Sequence, residues 1–265
     1  PVPFVAWPGP ALPGWAGGLD LVVVLAPDGT DRGTAAAVAE AVRRGCQVVV
    51  ACPAGSLVAQ HAEGRWSTIV PTVTRDQLAT AVVVLEYLDQ VGLGPRADHS
   101  DVAQALDDVA LACSPHRDLA VNPGKMLGIA LADTLPVVWG GSSLAARAAR
   151  RVSETIRRAS GQSAIAGDAE HLLPLIEAVR PRDVFDDPFA DEGGERRPML
   201  LIFDDGADDP VVREDRGRLQ EAAAEHGVRV EIVTIEAATE LARYASLVLN
   251  GRYGAEYLRV GLVED

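Results

Sequence analysis

Residues 19–52 read LDLVVVLAPDGTDRGTAAAVAEAVRRGCQVVVAC, and this stretch decides the fold class. An apolar, β-branched run, Leu19 to Ala26, stops at a turn containing Pro27, Asp28 and Gly29, as a fully buried strand does. The Ala-rich segment Asp31–Arg44 comes next and ends at Gly45. A carboxylate before a helical run and a glycine just past it are helix-capping signals. Cys46 to Cys52 is again short and apolar. Strand, helix and strand in so short a span predict a parallel sheet with helices on both faces.

The same alternation runs outward from there. A short helix over Ser56–Ala62, a strand over Ser67–Val70 and a long helix from Arg75 to Val91 complete one α/β half. Gly92–Ser100 starts a connection, and Asp101–Cys113 reads as a linking helix. After Asn122-Pro123 comes a helix to Asp133, followed by strand Pro136–Trp139, helix Leu144–Ser160, strand Ser163–Ala166 and helix Asp168–Val179. Strand Met199–Phe203, helix Asp209–His226, strand Val228–Ile235 and strand Ser246–Asn250 are expected in the remainder. The acidic stretch Asp186–Arg197 has the composition of a surface loop. This gives a first half over 1–95, linking helices over 96–134 and a second half over 135–265. The first half is the shorter by about one strand–helix unit, and a Pro- and Gly-rich approach, Pro1–Gly18, precedes its first strand. Further sequence upstream is expected on that ground.

Composition narrows the function. With 48% hydrophobic residues the chain can bury a substantial core. A formal charge of −14 argues against nucleic acid, which is bound by clustered basic residues. Arg carries the positive charge and lysine is scarce. Cys46, Cys52 and Cys113 lack the paired spacing of a disulfide framework or zinc site. No metal or cofactor is therefore expected, and a reducing cytoplasm fits. No apolar run reaches the length that spans a bilayer, so no membrane association is expected.

Three segments could carry chemistry. Gly140-Gly141-Ser142-Ser143 joins a strand to a helix, so backbone amides and hydroxyls converge at a helix N-terminus, a geometry suited to phosphate. Glycines making a tight turn and serines capping the helix are the plainer reading. Ala26–Asp31 is the corresponding turn of the first half. Asp28 and Asp31 would stabilise their own helix there and repel a phosphate, which leaves Thr30 as the hydroxyl able to hold one. Asn122-Pro123-Gly124-Lys125 begins a helix with Pro at its expected place. Lys125 reads on residue type as a solvated charge.

These segments resemble a known family. Leu21–Cys52, with its helix ending Arg43-Arg44-Gly45 and its strand running into Cys52-Pro53-Ala54-Gly55, is similar to the first sugar-isomerase (SIS) half of the bifunctional phosphoglucose/phosphomannose isomerases. Asn122–Lys125 resembles their Asn-Pro-Ala-Lys, followed here, as there, by an apolar helix and the strand Leu135-Pro136-Val137-Val138. Tyr244–Asp265, including Tyr257-Leu258 and Gly261, resembles their closing helix. Within the family the chain looks like the eroded actinobacterial branch labelled TobH. The resemblance implies two flavodoxin-like SIS halves, a homodimer and a phosphorylated sugar as ligand.

It also implies what has been lost. The family's phosphate turn, Ser-Tyr-Ser-Gly-Asn-Thr, falls on Ala26–Asp31, where its serines are replaced. The segment bearing the family's catalytic Glu falls on Arg151–Gly161 and puts Arg158 at the base position. A guanidinium accepts no proton near neutral pH, so it cannot shuttle hydrogen between C1 and C2 of a sugar. Glu154, one turn earlier, is the substitute base to consider, against an ordinary i,i+4 pair with Arg158. His171 is the candidate for ring opening, and Lys125 for charge stabilisation. His61, His99, His116 and His226 are expected to be surface residues without partners. Three functions follow from the resemblance. They are a sugar-phosphate-binding protein with turnover lost, a working glucose 6-phosphate or mannose 6-phosphate isomerase, and a dimeric interaction partner that binds no sugar.

Overall fold

The computed structural model describes residues 2–9, 11–179 and 196–263. The chain divides into two compact units, Pro1–His99 and Ser100–Asp265.

The first unit is built on a three-stranded parallel sheet, β1 (Leu21–Leu25), β2 (Gln47–Cys52) and β3 (Ser67–Pro71), in the order β1-β2-β3. β2 is central, and every residue from Val48 to Cys52 is buried. That explains its unbroken apolar sequence, since side chains on alternate sides meet helices on both faces. On one face Val48, Val50 and Cys52 pack against α1 (Arg32–Arg43) and α2 (Leu57–His61) through Val38, Ala41 and Val58. On the other, Ala51 meets Val84 and Leu88 of α3 (Gln77–Gln90). Asp31 caps α1 by accepting the Thr34 amide at 2.6 Å.

The second unit opens within the first turn of α4 (His99–Ala112) and continues through a short 3₁₀ turn over Leu119–Val121 and α5 (Pro123–Leu131). There follow β4 (Thr134–Gly140), α6 (Ser143–Ser160), the two-residue β5 (Ile165–Ala166) and α7 (Ala169–Glu177). Last come β6 (Arg197–Asp204), α8 (Pro210–Glu225), β7 (Arg229–Thr234) and α9 (Glu240–Val263). The four strands are parallel in the order β5-β4-β6-β7. One face, through Val138, Leu201 and Phe203, packs against α5, α6 and α9 at Leu131, Val152, Ile156 and Leu247. The other, through Val137, Trp139, Leu200 and Ile202, packs against α7 and α8 at Leu172, Ile176 and Leu219. Burying apolar side chains on both faces, at about 25 cal/mol per Å² of apolar surface, is the main force holding this unit together.

The fold is therefore α/β, with parallel sheets flanked by helices. Two expectations need amending. Ser246–Asn250 is not a strand but the end of the second turn of α9 and its third. A short run such as Leu247-Val248-Leu249 has no periodicity that separates strand from buried helix. Ser246, Leu247 and Asn250 are all buried, as befits a helix packed on more than one side. The loop expected over Asp186–Arg197 falls outside the described residues apart from its last two positions, and Arg197 begins β6.

Candidate functional site

In a parallel α/β sheet, ligands collect outside the carboxyl ends of the strands, where the strand order reverses. In the second unit that point lies between β4 and β6, and the turn Gly140–Ser143 stands there. Gly140 admits the strand to within touching distance of α6. A Cβ on it would lie 2.3 Å from the backbone carbon of Ala145. A Cβ on Gly141 would meet Val212 at 2.3 Å and Trp139 at 2.8 Å. Ser142 is the N-cap of α6, accepting the Ala145 amide at 3.0 Å. Ser143 is exposed, and its hydroxyl makes no hydrogen bond among the described residues.

What the sequence did not reveal is the neighbour of this turn. The Ser142 hydroxyl donates to the carboxylate of Asp205, just past the end of β6. Beside it Asp204 pairs with Arg216 of α8 at 2.8 Å. The carbonyl of Asp205 accepts from Arg243 Nη1 of α9 at 2.7 Å. The Nε of Arg243 is buried and has no hydrogen-bond partner among the described residues. The Ser142 hydroxyl at the α6 N-terminus thus meets the Asp205 carboxylate, Arg216 the Asp204 carboxylate and Arg243 the Asp205 backbone. A cleft beside them, lined by Trp139, Gly141, Asp204, Asp205, Arg213 and Arg216, has a volume of about 30 Å³, room for about one water. Asp205 follows directly on Asp204, the last residue of β6. Its meeting with Gly140–Ser143 depends on β6 pairing with β4.

In the first unit Thr30 is exposed and makes no hydrogen bond among the described residues. The carboxylate of Asp31 holds the N-terminus of α1. Those hydrogen bonds, chiefly from Thr34, hold its pKa below the ordinary aspartate value. Asp28 stands 3.6 Å from Arg75.

The three candidate catalytic residues do not converge. Glu154 lies on α6, eleven residues from its start, or about 17 Å along the helix from the turn at Ser142. It is 4.0 Å from Arg158, whose side chain is 82% exposed. His171 lies at the start of α7, which covers the opposite face of the sheet. Its ring Nδ1 bonds Asp168, the N-cap of that helix, and holds the Asp168 pKa down. Lys125, the chain's single lysine, is not a freely solvated charge. Its Nζ donates to the carbonyls of Pro115 and Arg117, both at 2.8 Å, and sits 5.9 Å from the Tyr257 ring centre. It clamps the loop that follows α4. Asn122 works beside it, capping α5 through the Lys125 amide at 2.9 Å and donating to Ser114 O at 2.8 Å. Gly124 stands where the resembling motif has Ala. A Cβ there would lie 2.9 Å from that of Tyr253, so the crowding of α9 accounts for the change.

The other histidines mostly have partners, contrary to expectation. His99 Nδ1 lies 2.8 Å from Glu86, which raises the His99 pKa. His61 and His226 bond the carbonyls of Leu57 and Val179, each at 2.9 Å. Cys46, Cys52 and Cys113 are free and buried. No helix among the described residues is long and apolar enough to cross a membrane.

No curated protein matches the chain. Among solved structures, a glucose-6-phosphate isomerase like protein from Thermus thermophilus is 15% identical with a TM-score of 0.55, over 95% of this chain and 86% of that one. Tagatose-6-phosphate ketose/aldose isomerase from Escherichia coli gives a TM-score of 0.64 at 11% identity, over 94% and 70%. Glucosamine-6-phosphate deaminase from Thermotoga maritima gives 0.60 at 9%, over 92% and 70%. At such identities these similarities establish the fold. The profile of the bacterial phospho-glucose isomerase C-terminal SIS domain matches residues 120–260, a segment wholly inside the second unit. With more than half of its length matched, the chain belongs to the bacterial phospho-glucose isomerase C-terminal SIS domain family.

Proposed function

We propose that this protein binds a phosphorylated sugar at the Gly140–Ser143 turn and has lost the aldose–ketose turnover of its family, as in the TobH-like branch. The observation that carries the binding reading is the bonding of Ser142, at the α6 N-terminus, and of Arg243 to Asp205, with Arg216 paired to the adjacent Asp204. Such a set of donors suits an anion, and the unpartnered Nε of Arg243 is a donor in want of one. Asp205 fills that position with the protein's own carboxylate, so a phosphate would compete with it. The Ser142 and Ser143 hydroxyls would bond the incoming oxygens, and Thr30 is the corresponding hydroxyl of the first half.

Loss of turnover rests on proton transfer. Arg158 offers no base, and the helices carrying Glu154 and His171 flank opposite faces of one sheet. A cis-enediol route needs a group that removes a proton from one carbon and returns it to the next. Lys125 is engaged with two carbonyls instead. A cytoplasmic homodimer without cofactor or metal completes the proposal, and the family's clefts between halves or subunits are the reason for the dimer.

A coupled assay with fructose 6-phosphate on the full-length protein tests it, alongside calorimetry with hexose 6-phosphates. The expected result is binding heat with no glucose 6-phosphate or mannose 6-phosphate formed. Conversion above the level of a Glu154→Ala control would establish a working isomerase. Absence of binding heat would leave the interaction-partner reading in its place.

A further inference from the structure

A cleft of the second unit is roomier than the one at Gly140. It lies beyond the end of β7, has a volume of about 370 Å³, and is walled by α4, the first residue of α5, the loop Ile235–Ala238 and one side of α9. That volume is in the range of small-molecule sites. Its chemistry is the reverse of a phosphate pocket. Asp101, Asp108 and Glu236 line it, and no Lys, Arg or His does. Asp101 and Glu236 make no hydrogen bond or ion pair among the described residues. Asp108 accepts only from Gln104, at 3.0 Å.

A second, independent observation points to an occupant. Asn250 lines the cleft at only 4% exposure, and its Oδ1 is buried with no hydrogen-bond partner among the described residues. Ser246, four residues earlier and so on the same side of α9, lines it as well at 1% exposure. A buried amide oxygen left unpaired carries a desolvation penalty, which a ligand supplying a hydrogen-bond donor would recover. Between these polar points the walls are aliphatic, with Ala105, Val109, Ala112 and Ile235.

We infer that this cleft binds a linear aliphatic polyamine. Its ammonium groups would lie against Asp101, Asp108 and Glu236, its methylenes would cover the Ala, Val and Ile side chains, and one N–H would reach the Asn250 amide. Such a ligand supplies donors and cations without acceptors, which is what the lining lacks. A neutral polyol would leave the carboxylates uncompensated, and a sugar phosphate would be repelled by them.

The test is calorimetry of spermidine on the full chain near physiological salt, with and without excess MgCl2. One spermidine per chain is expected, not displaced by Mg²⁺. The double variant Asp101→Asn/Glu236→Gln should bind about ten-fold more weakly. A control removing equal charge elsewhere, Glu221→Gln/Glu225→Gln on the exposed side of α8, should bind as the parent does. Asn250→Ala should weaken binding without lowering the melting temperature, because the amide it removes has no partner. Equal loss in the two double variants, displacement by Mg²⁺, or absence of heat with spermidine would overturn the inference. Glucose 6-phosphate binding should be unchanged by Asp101→Asn/Glu236→Gln, so this inference and the proposed sugar-phosphate site fail separately.

Discussion

The turn after β1 and the turn after β4 each join the carboxyl end of a strand to a helix, yet they meet the need for negative charge at a helix N-terminus differently. After β1 the carboxylate is local, since Asp31 caps α1 directly. After β4 the cap is a hydroxyl, and the carboxylate arrives from the neighbouring strand as Asp205 bonded to Ser142. A local cap belongs to the helix and leaves with it. Under the proposed function a borrowed one would be displaced by another anion while Ser142 went on capping, which gives the second turn, and not the first, an exchangeable anion position.

The largest expected effect attacks the frame that makes the second turn possible. Gly140→Ala drives a methyl into the rigid backbone of α6 at 2.3 Å, and should destabilise the second unit by about 3 kcal/mol, read as a fall in denaturation midpoint. Substituting Gly140 with no loss would mean that β4 and α6 are less closely apposed than described. Next, Asp205→Asn removes the competing charge while keeping a hydrogen-bond acceptor for Ser142. Inorganic phosphate and glucose 6-phosphate should then bind about ten-fold more tightly, worth roughly 1.4 kcal/mol. Unchanged affinity would break the comparison by showing that no anion enters at this turn.

The smallest effect belongs to Asp31. Its folded pKa is lowered by the α1 cap, so its contribution is present above the ordinary aspartate pKa and fades as pH falls through the folded value. Asp31→Asn should therefore lower stability slightly at neutral pH and match the parent once the pH is below the folded pKa, which flattens the acid limb of the stability profile. A variant that instead lost stability evenly across pH would assign the cap's value to geometry, not charge.

Fold class was legible because the signals are local. Gln47–Cys52 is apolar without a break since both faces are covered, and Asp31, Ser56, Asp76, Asn122, Ser142, Asp168 and Asp209 all stand as N-caps at helix starts that the sequence marks. Ser246–Asn250 was misread because a few apolar residues carry no period of their own, and only packing decides between strand and helix. The site was less legible for a different reason. Gly140–Ser143 can be found by spacing. Asp205, Arg216 and Arg243 reach it only through sheet order and the return of α9, contacts that span dozens of residues. Lys125 shows the same limit, since two carbonyls from the loop after α4 decide its role and neither leaves a mark in the motif Asn122–Lys125.

The buried thiols give the molecule an internal set of labels. Cys46 and Cys52 lie in the core of the first unit and Cys113 in the second, all shielded from solvent. A maleimide can reach each one only when its surroundings open, so residue-by-residue alkylation rates measure how often either half of the chain breathes. Added hexose phosphate should slow the reaction of Cys113 if the ligand steadies the C-terminal half, and the native chain needs no engineered cysteine for that measurement.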